Sequence, residues 1–154
     1  MAETAAEIGL LEIYEGALPV EKLLAKWYGL CARRNLGAFV SFAGTVREEN
    51  GISALSFDIY QPLLTQWFEA WKRRSDQTVL FMAHATGNVL IGESSFVAAV
   101  GSSKRRAALE TIDIFVEDFK THAPIWKYDI INGERVFAAD RAFELPASGI
   151  LQTA

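Results

Sequence analysis

The chain has 154 residues, of which 51% are hydrophobic and 22% charged, and this composition predicts one globular domain over 1–154 with 1–7 as a loose leader. Its net charge of −4 argues against a general binder of nucleic acid or acidic membranes, and its one cysteine, Cys31, excludes a disulfide framework and a multi-cysteine metal site. The sequence contains neither an 18-residue apolar run nor a secretory signal pattern, so we expect a cytoplasmic protein.

The first half of the chain alternates segments of strand and helix periodicity. Leu18-Pro19 is typical of a helix start, and so is Pro62, because proline fits the first helical turn. Gly44 lies within an apolar, β-rich run and predicts a bulge or a close approach of another backbone segment. Together these features predict strands at 8–14, 37–47 and 55–60, and helices at 18–30 and 62–74.

The second half is predicted to hold further strands, one long helix and a hairpin. Ser102 or Ser103 would cap the helix, Pro124 would end it, and Asn132-Gly133 would form the hairpin turn. Many of the predicted strands are followed directly by another strand along the chain. This order predicts the α+β class, with a largely antiparallel sheet flanked by helices. The predicted strands are 79–86, 89–91, 96–100, 126–131 and 135–138, and the helix lies between about 103 and 123.

Two lysines bracket the turn after the long helix. Lys120 precedes it, and Lys127 follows the Pro-Ile-Trp segment. In general, burial and neighbouring positive charge lower the pKa of a lysine and make it a nucleophile or proton carrier. An ion pair with Glu117 is the simpler interpretation for Lys120, and solvation is the simpler one for Lys127.

The start of the same helix is a candidate anion site. Lys104, Arg105 and Arg106 follow two serines there, and free N–H groups at a helix start attract anions. At helical spacing Arg105 falls on the apolar face of the helix, although its stem could pack there while its head reaches solvent. Arg47 ends an apolar strand, where sites are often built, but a surface arginine beside Glu48 fits the pattern equally well.

The two histidines, His84 and His122, do not form a metal-binding pattern, so we expect no metal site. A Ser-His-Asp pattern, a Walker loop and a dinucleotide fingerprint are also missing. The residues alone therefore indicate an α+β domain with a candidate anion site.

An ordered set of motifs resembles one family. The segment 37–47 follows the pattern Gly-Ala-x-x-x-Phe-x-Gly-x-Val-Arg, and 120–127 reads Lys-x-x-x-Pro-Ile-Trp-Lys. Between them come His84-Ala85-Thr86-Gly87 and Ser103-Lys104-Arg105, in the same order. Together these segments resemble the molybdopterin synthase catalytic (large) subunit, the MoaE family.

The resemblance implies an α/β hammerhead fold and a homodimer of large subunits. Each large subunit would bind one ubiquitin-like sulfur-carrier small subunit, giving a heterotetramer, and would receive its C-terminal Gly-Gly thiocarboxylate. The implied reaction converts cyclic pyranopterin monophosphate into molybdopterin by adding two sulfurs as a dithiolene. The implied synthase needs no metal or organic cofactor.

The resemblance also implies roles for particular residues. Lys120 matches the catalytic lysine and Lys127 its partner, while Phe42 would line the pocket. Arg47 and Arg105 would hold the substrate phosphate or the thiocarboxylate.

This chain departs from the family pattern beside Arg105. Lys104 stands where the family usually has histidine, so a fixed cation replaces a titrating ring. Two alternatives remain at this point. One is a non-catalytic module of the same fold that docks a ubiquitin-like partner, and the other is an enzyme of small phosphate ligands unrelated to sulfur.

Overall fold

The computed structural model describes residues 8–75 and 77–138, and the predicted leader 1–7 lies outside them. Among the described residues, no helix is both long and apolar enough to cross a membrane. The strands are β1 (Leu10–Glu15), β2 (Ala38–Thr45), β3 (Ala54–Ile59), β4 (Thr78–Leu90), β5 (Ser94–Ser102), β6 (Ile125–Ile131) and β7 (Glu134–Phe137). The helices are α1 (Val20–Arg33), α2 (Gln61–Arg74) and α3 (Arg105–His122).

The strands of the described part form one seven-stranded sheet in the order β2-β5-β4-β3-β6-β7, with β1 added beside β4. The β1–β4 pairing is parallel and the other pairings there are antiparallel. This arrangement confirms the predicted α+β class with a largely antiparallel sheet flanked by helices.

The long strand β4 connects the two halves of the sheet. Along one edge of β4, β1 pairs with the residues up to Thr86, and β3 pairs with the residues from Gly87 onward. Gly87 has φ +78°, a left-handed conformation that glycine adopts without strain. The prediction of separate strands at 79–86 and 89–91 is therefore wrong, because Gly87 lets one strand continue through the change of partner.

Helices cover both faces of the sheet. Trp27 of α1 stacks on Phe81 at 5.4 Å between ring centroids, whereas Phe119 of α3 stacks on Phe96 at 4.0 Å. Phe96 lies opposite His84 in the β4–β5 register. Because side chains alternate along a strand, Phe81 and His84 point to opposite faces. Helix α3 therefore lies across the sheet from α1, on the face that carries His84 and Phe96.

Two turn predictions are confirmed and one capping prediction is wrong. The β2–β5 register shifts at Gly44, as a bulge requires, and Asn132 and Gly133 have φ 53° and 80° at the predicted hairpin turn. However, the N-cap of α3 is Lys104, which makes no side-chain capping hydrogen bond. Ser102 still belongs to β5, and its hydroxyl accepts only the N–H of the N-cap residue itself, at 3.4 Å, whereas Ser103 precedes the N-cap.

Helix α1 packs tightly against the sheet at Gly101 of β5. A Cβ atom at this position would collide with Sγ of the buried Cys31 and lie 3.4 Å from Cδ1 of Leu36. Cys31 is a buried free thiol, and burial raises its pKa to about 11.

We expect Gly101→Ala to lower the free energy of unfolding by about 1–3 kcal/mol, because overpacking forces neighbouring atoms apart. Urea unfolding followed by circular dichroism measures this change. The double variant Gly101→Ala/Cys31→Ala lacks the sulfur that would clash. Its loss in the free energy of unfolding should therefore be smaller than the sum of the losses of the two single variants. Strictly additive losses would contradict the proposed contact.

Candidate active site

A cavity of about 530 Å³ opens between the last turn of α3 and the sheet, and we call it the cationic cavity. Its lining combines positive charge with aromatic rings. The cations are Arg47, Lys120 and Lys127, and the rings are Phe42, Phe57, His84, Phe96 and Phe119. Such a lining suits an anionic ligand that also has a planar or apolar part.

The two lysines reach the same cavity because the chain reverses in a very short connection. Helix α3 ends at His122, and β6 begins at Ile125. The N–H of Ala123 donates to the carbonyl of Phe119 at 3.0 Å, which ends the helix in an ordered turn. The ion pair between Lys120 and Glu117 that the sequence left open does not form among the described residues.

Arg47 and Phe42 form the rim of the cationic cavity. Arg47 follows the end of β2, and its side chain is 83% exposed, with Nη2 3.3 Å from Oε2 of Glu49. The ring of Phe42 is 43% exposed and lies 5.9 Å from that of Phe96. An exposed guanidinium at the mouth can turn toward an arriving anion, because its surface ion pair is weak.

Arg105 and Lys104 do not line the cationic cavity of their own chain. They lie at the start of α3, which runs without a break to His122. Fifteen residues separate Arg105 from Lys120, which is about 22 Å along a helix. Within a single chain, Arg105 is therefore not brought together with Arg47, Lys120 and Lys127. Periodicity gives the direction of a side chain around the axis but not its height along it.

His84 also lines the cationic cavity, whereas the sequence indicated only that it lies within a strand. It is almost fully buried, with ring centroids 5.0 Å from Phe57 and 5.5 Å from Phe119. Burial lowers its pKa to about 4, although a backbone hydrogen bond to Ala85 acts in the opposite direction. The ring is thus neutral at pH 7, and its Nδ1–H donates to the carbonyl of Ala85 at 2.7 Å. It adds a polar group to the cavity without charge.

A second cavity of about 530 Å³ lies beside the start of α1. Its ionisable lining residues are Glu21, Lys22 and Glu93, so carboxylates outnumber the cation. This charge balance does not suit an anionic ligand. Within residues 8–75 and 77–138, no group of three or more His, Cys, Asp or Glu side chains is placed to hold a metal ion.

The fold and the cationic cavity define a class: an α+β domain with a cavity that gathers positive charge beside aromatic rings. Comparison with known proteins gives the family. The family described as MoaE protein matches residues 16–122. The molybdopterin synthase catalytic subunit of Helicobacter pylori is 46% identical and the match covers 92% of this chain and 99% of that protein. The Bacillus subtilis protein of the same name is 32% identical, over 77% and 78% of the two chains. The chain belongs to the MoaE family, as the sequence motifs predicted.

Solved structures agree with this assignment. The complex of subunits 1 and 2 of the Helicobacter pylori molybdopterin-converting factor contains a chain with a TM-score of 0.86 and 46% identity, covering 92% of this chain and 98% of that one. Molybdopterin synthase from Staphylococcus aureus matches in fold with a TM-score of 0.68 at 24% identity, over 82% and 94% of the chains. The predicted hammerhead fold is thereby confirmed.

The lowered pKa of His84 predicts a pH-dependent stability. An unfolded histidine binds a proton below about pH 6.5, whereas folded His84 does so only near pH 4, so the unfolded state takes up more protons between these values. The free energy of unfolding should therefore fall by about 3 kcal/mol from this residue as the pH drops from 6.5 to 4.

Urea unfolding at several pH values tests this prediction by comparing the wild type with His84→Phe, which keeps a ring but cannot titrate. The difference between the two proteins isolates His84 from the carboxylates. Equal slopes against pH in both proteins would show that His84 does not cause the effect.

Proposed function

We propose that this protein is the catalytic subunit of a molybdopterin synthase. It transfers two sulfurs to cyclic pyranopterin monophosphate, each delivered by the C-terminal thiocarboxylate of one ubiquitin-like small subunit, and so forms the dithiolene of molybdopterin. The convergence of Lys120, Lys127 and Arg47 on one aromatic cavity carries this proposal. The relatives named molybdopterin synthase catalytic subunit support it.

The charges of the reactants explain why such a cavity is needed. The phosphate of the pterin and the thiocarboxylate of the carrier are both anionic and repel each other. A protein of net charge −4 can bring them together only by gathering cations locally. Positive groups gathered around one cavity also stabilise negative charge that develops during the reaction. The aromatic rings provide flat apolar surfaces against which a pterin ring can pack.

Each cation of the cavity has a role in this proposal. Lys120 extends from the last turn of α3 and acts on the thiocarboxylate carbon or on a proton at the pterin, as nucleophile or as acid–base. Lys127, paired opposite Phe57 across β3 and β6, holds the anion beside it. Arg47 at the mouth of the cavity leaves its ion pair with Glu49 and binds the substrate phosphate instead. Phe42 covers the bound ring.

We also propose that the protein works in the cytoplasm as a single-domain subunit of a heterotetramer of two large and two small subunits. A subunit of the Helicobacter pylori relative is seen in complex with the other subunit of its factor, which supports binding of a small partner. In a dimer of large subunits, Arg105 and Lys104 would act on the cavity of the second copy, because they lie too far from the cavity of their own chain.

We expect Lys120→Ala to abolish dithiolene formation, because the cavity then lacks the amine at the reacting atoms. Purified protein, thiocarboxylated small subunit and cyclic pyranopterin monophosphate are mixed, and product is measured by mass spectrometry. Binding of the small subunit, measured by calorimetry, should stay within about twofold because the interface is unchanged. Lys22→Ala, at the second cavity, is the matched lysine control and should react like the wild type.

The outcomes separate the alternatives. Normal turnover by Lys120→Ala would refute the assignment of this lysine. A wild-type protein that binds the small subunit but forms no product would instead indicate a non-catalytic module. Failure to bind any ubiquitin-like partner would favour an enzyme of small phosphate ligands.

Mixing two inactive variants tests the contribution of Arg105 across a dimer. Lys120→Ala and Arg105→Ala chains are unfolded together and refolded to form mixed dimers. If Arg105 serves the second copy, one of the two sites in each mixed dimer is intact, and activity should return to about a quarter of the wild-type value. Recovery would be absent if Arg105 acted only within its own chain, and an Arg105→Ala protein that is active by itself would show that this arginine is not needed.

A further inference from the structure

One carboxylate ties α2 to the last turns of α3. Oδ2 of Asp118 accepts hydrogen bonds from the indole N–H groups of Trp67 at 3.0 Å and Trp71 at 2.6 Å. Its other oxygen, Oδ1, accepts a hydrogen bond at 2.7 Å from Nδ1 of His122, one turn further along α3. Hydrogen bonds to an ionised acceptor are stronger than those between neutral groups, so this connection holds the two helices firmly.

Asp118 lies close to Lys120 in sequence but faces another direction. Two residues correspond to roughly 200° around a helix, which places the two side chains on nearly opposite sides of α3. Val116, Phe119 and Lys120 line the cationic cavity, and Asp118 does not. A direct contact between Asp118 and a substrate in the cavity is therefore excluded.

The turn that carries Lys120 is held from two sides. On one side, Asp118 binds the indoles of α2, and both indole rings pack at 5.2 Å against Phe115 of α3. On the other side, Phe119 stacks on Phe96 of the sheet with an angle of 3° between the rings. Terminal turns of helices open most readily, so these contacts act where α3 most needs support.

We propose that Asp118 is a positioning residue that fixes the last turn of α3, and through it Lys120, by accepting the hydrogen bonds of Trp67 and Trp71. This inference rests on the proposed catalytic role of Lys120. A displacement of a reacting group by about 1 Å can cost on the order of a hundredfold in rate. The important property of Asp118 is its acceptor oxygen, because its oxygens bind the indoles and His122 rather than the lysine.

The test compares Asp118→Ala with Asp118→Asn in the complete complex with the small subunit. Alanine removes the acceptor, so kcat should fall about 10- to 100-fold while KM for the pterin and the affinity for the small subunit stay within about twofold. Asparagine keeps one carbonyl oxygen for the indoles and should restore kcat to within about threefold of the wild type. Asp113→Ala is the matched control, because it removes a carboxylate from the same helix that contacts neither indole.

Substitution of the donors gives an independent measurement. Trp67→Phe/Trp71→Phe keeps aromatic rings but removes both N–H groups, and it should lower kcat as much as Asp118→Ala does. Combining it with Asp118→Ala should add little further loss, because all three residues form one unit. The Trp67→Phe/Trp71→Phe variant also tests the positioning role of Asp118 if Asp118→Ala does not fold.

The outcomes distinguish failure of this inference from failure of the proposed function. No product from the wild type would refute the proposed function itself. An active wild type with a folded Asp118→Ala variant of unchanged kcat would overturn the positioning role. Equal losses in Asp118→Ala and Asp118→Asn would also overturn it, because they would show that charge rather than the acceptor matters. Fully additive losses of kcat when Asp118→Ala is combined with Trp67→Phe/Trp71→Phe would likewise overturn the positioning role.

Discussion

The continuous pairing of β4 is the constraint on which the rest of the structure depends. One strand of 13 residues provides hydrogen bonds to both halves of the sheet, and Gly87 marks the point at which β3 replaces β1. This exchange places Phe57 next to His84 and lets β6 join the sheet through β3. The floor of the cationic cavity and the strand that carries Lys127 both follow from it.

The position of the cavity explains how an acidic protein can present positive charge. Its cations come from three places that are distant in sequence: the end of β2, the last turn of α3 and the start of β6. Each of these side chains stands at or near the end of an element, where it can reach the cavity while its backbone remains bonded. The aromatic rings beneath them provide an apolar surface beside the positive charges.

Periodicity and turn chemistry predicted most of the fold. The hairpin at Asn132-Gly133 and the bulge at Gly44 were predictable because local backbone chemistry determines them. The convergence of Lys120 and Lys127 was predictable because the short Ala123-Pro124 connection fixes the reversal.

The unbroken course of β4 was not predictable, since glycine can interrupt a strand or let it continue. The cavity position of His84 was missed because alternation shows that a side chain is buried, not what it faces. The network of Asp118 was missed because it depends on the packing of α2 against α3.

The buried thiol of Cys31 has a practical consequence for the study of sulfur transfer. It is the single cysteine of the chain, it is shielded by α1 and β5, and its high pKa keeps it protonated at neutral pH. Because alkylating reagents attack the ionised form, this thiol is a poor target for them. In a mixture with a thiocarboxylated carrier, such a reagent would label the carrier and leave this chain unmodified. The fate of the transferred sulfur can then be followed without a competing signal from the thiol of this chain.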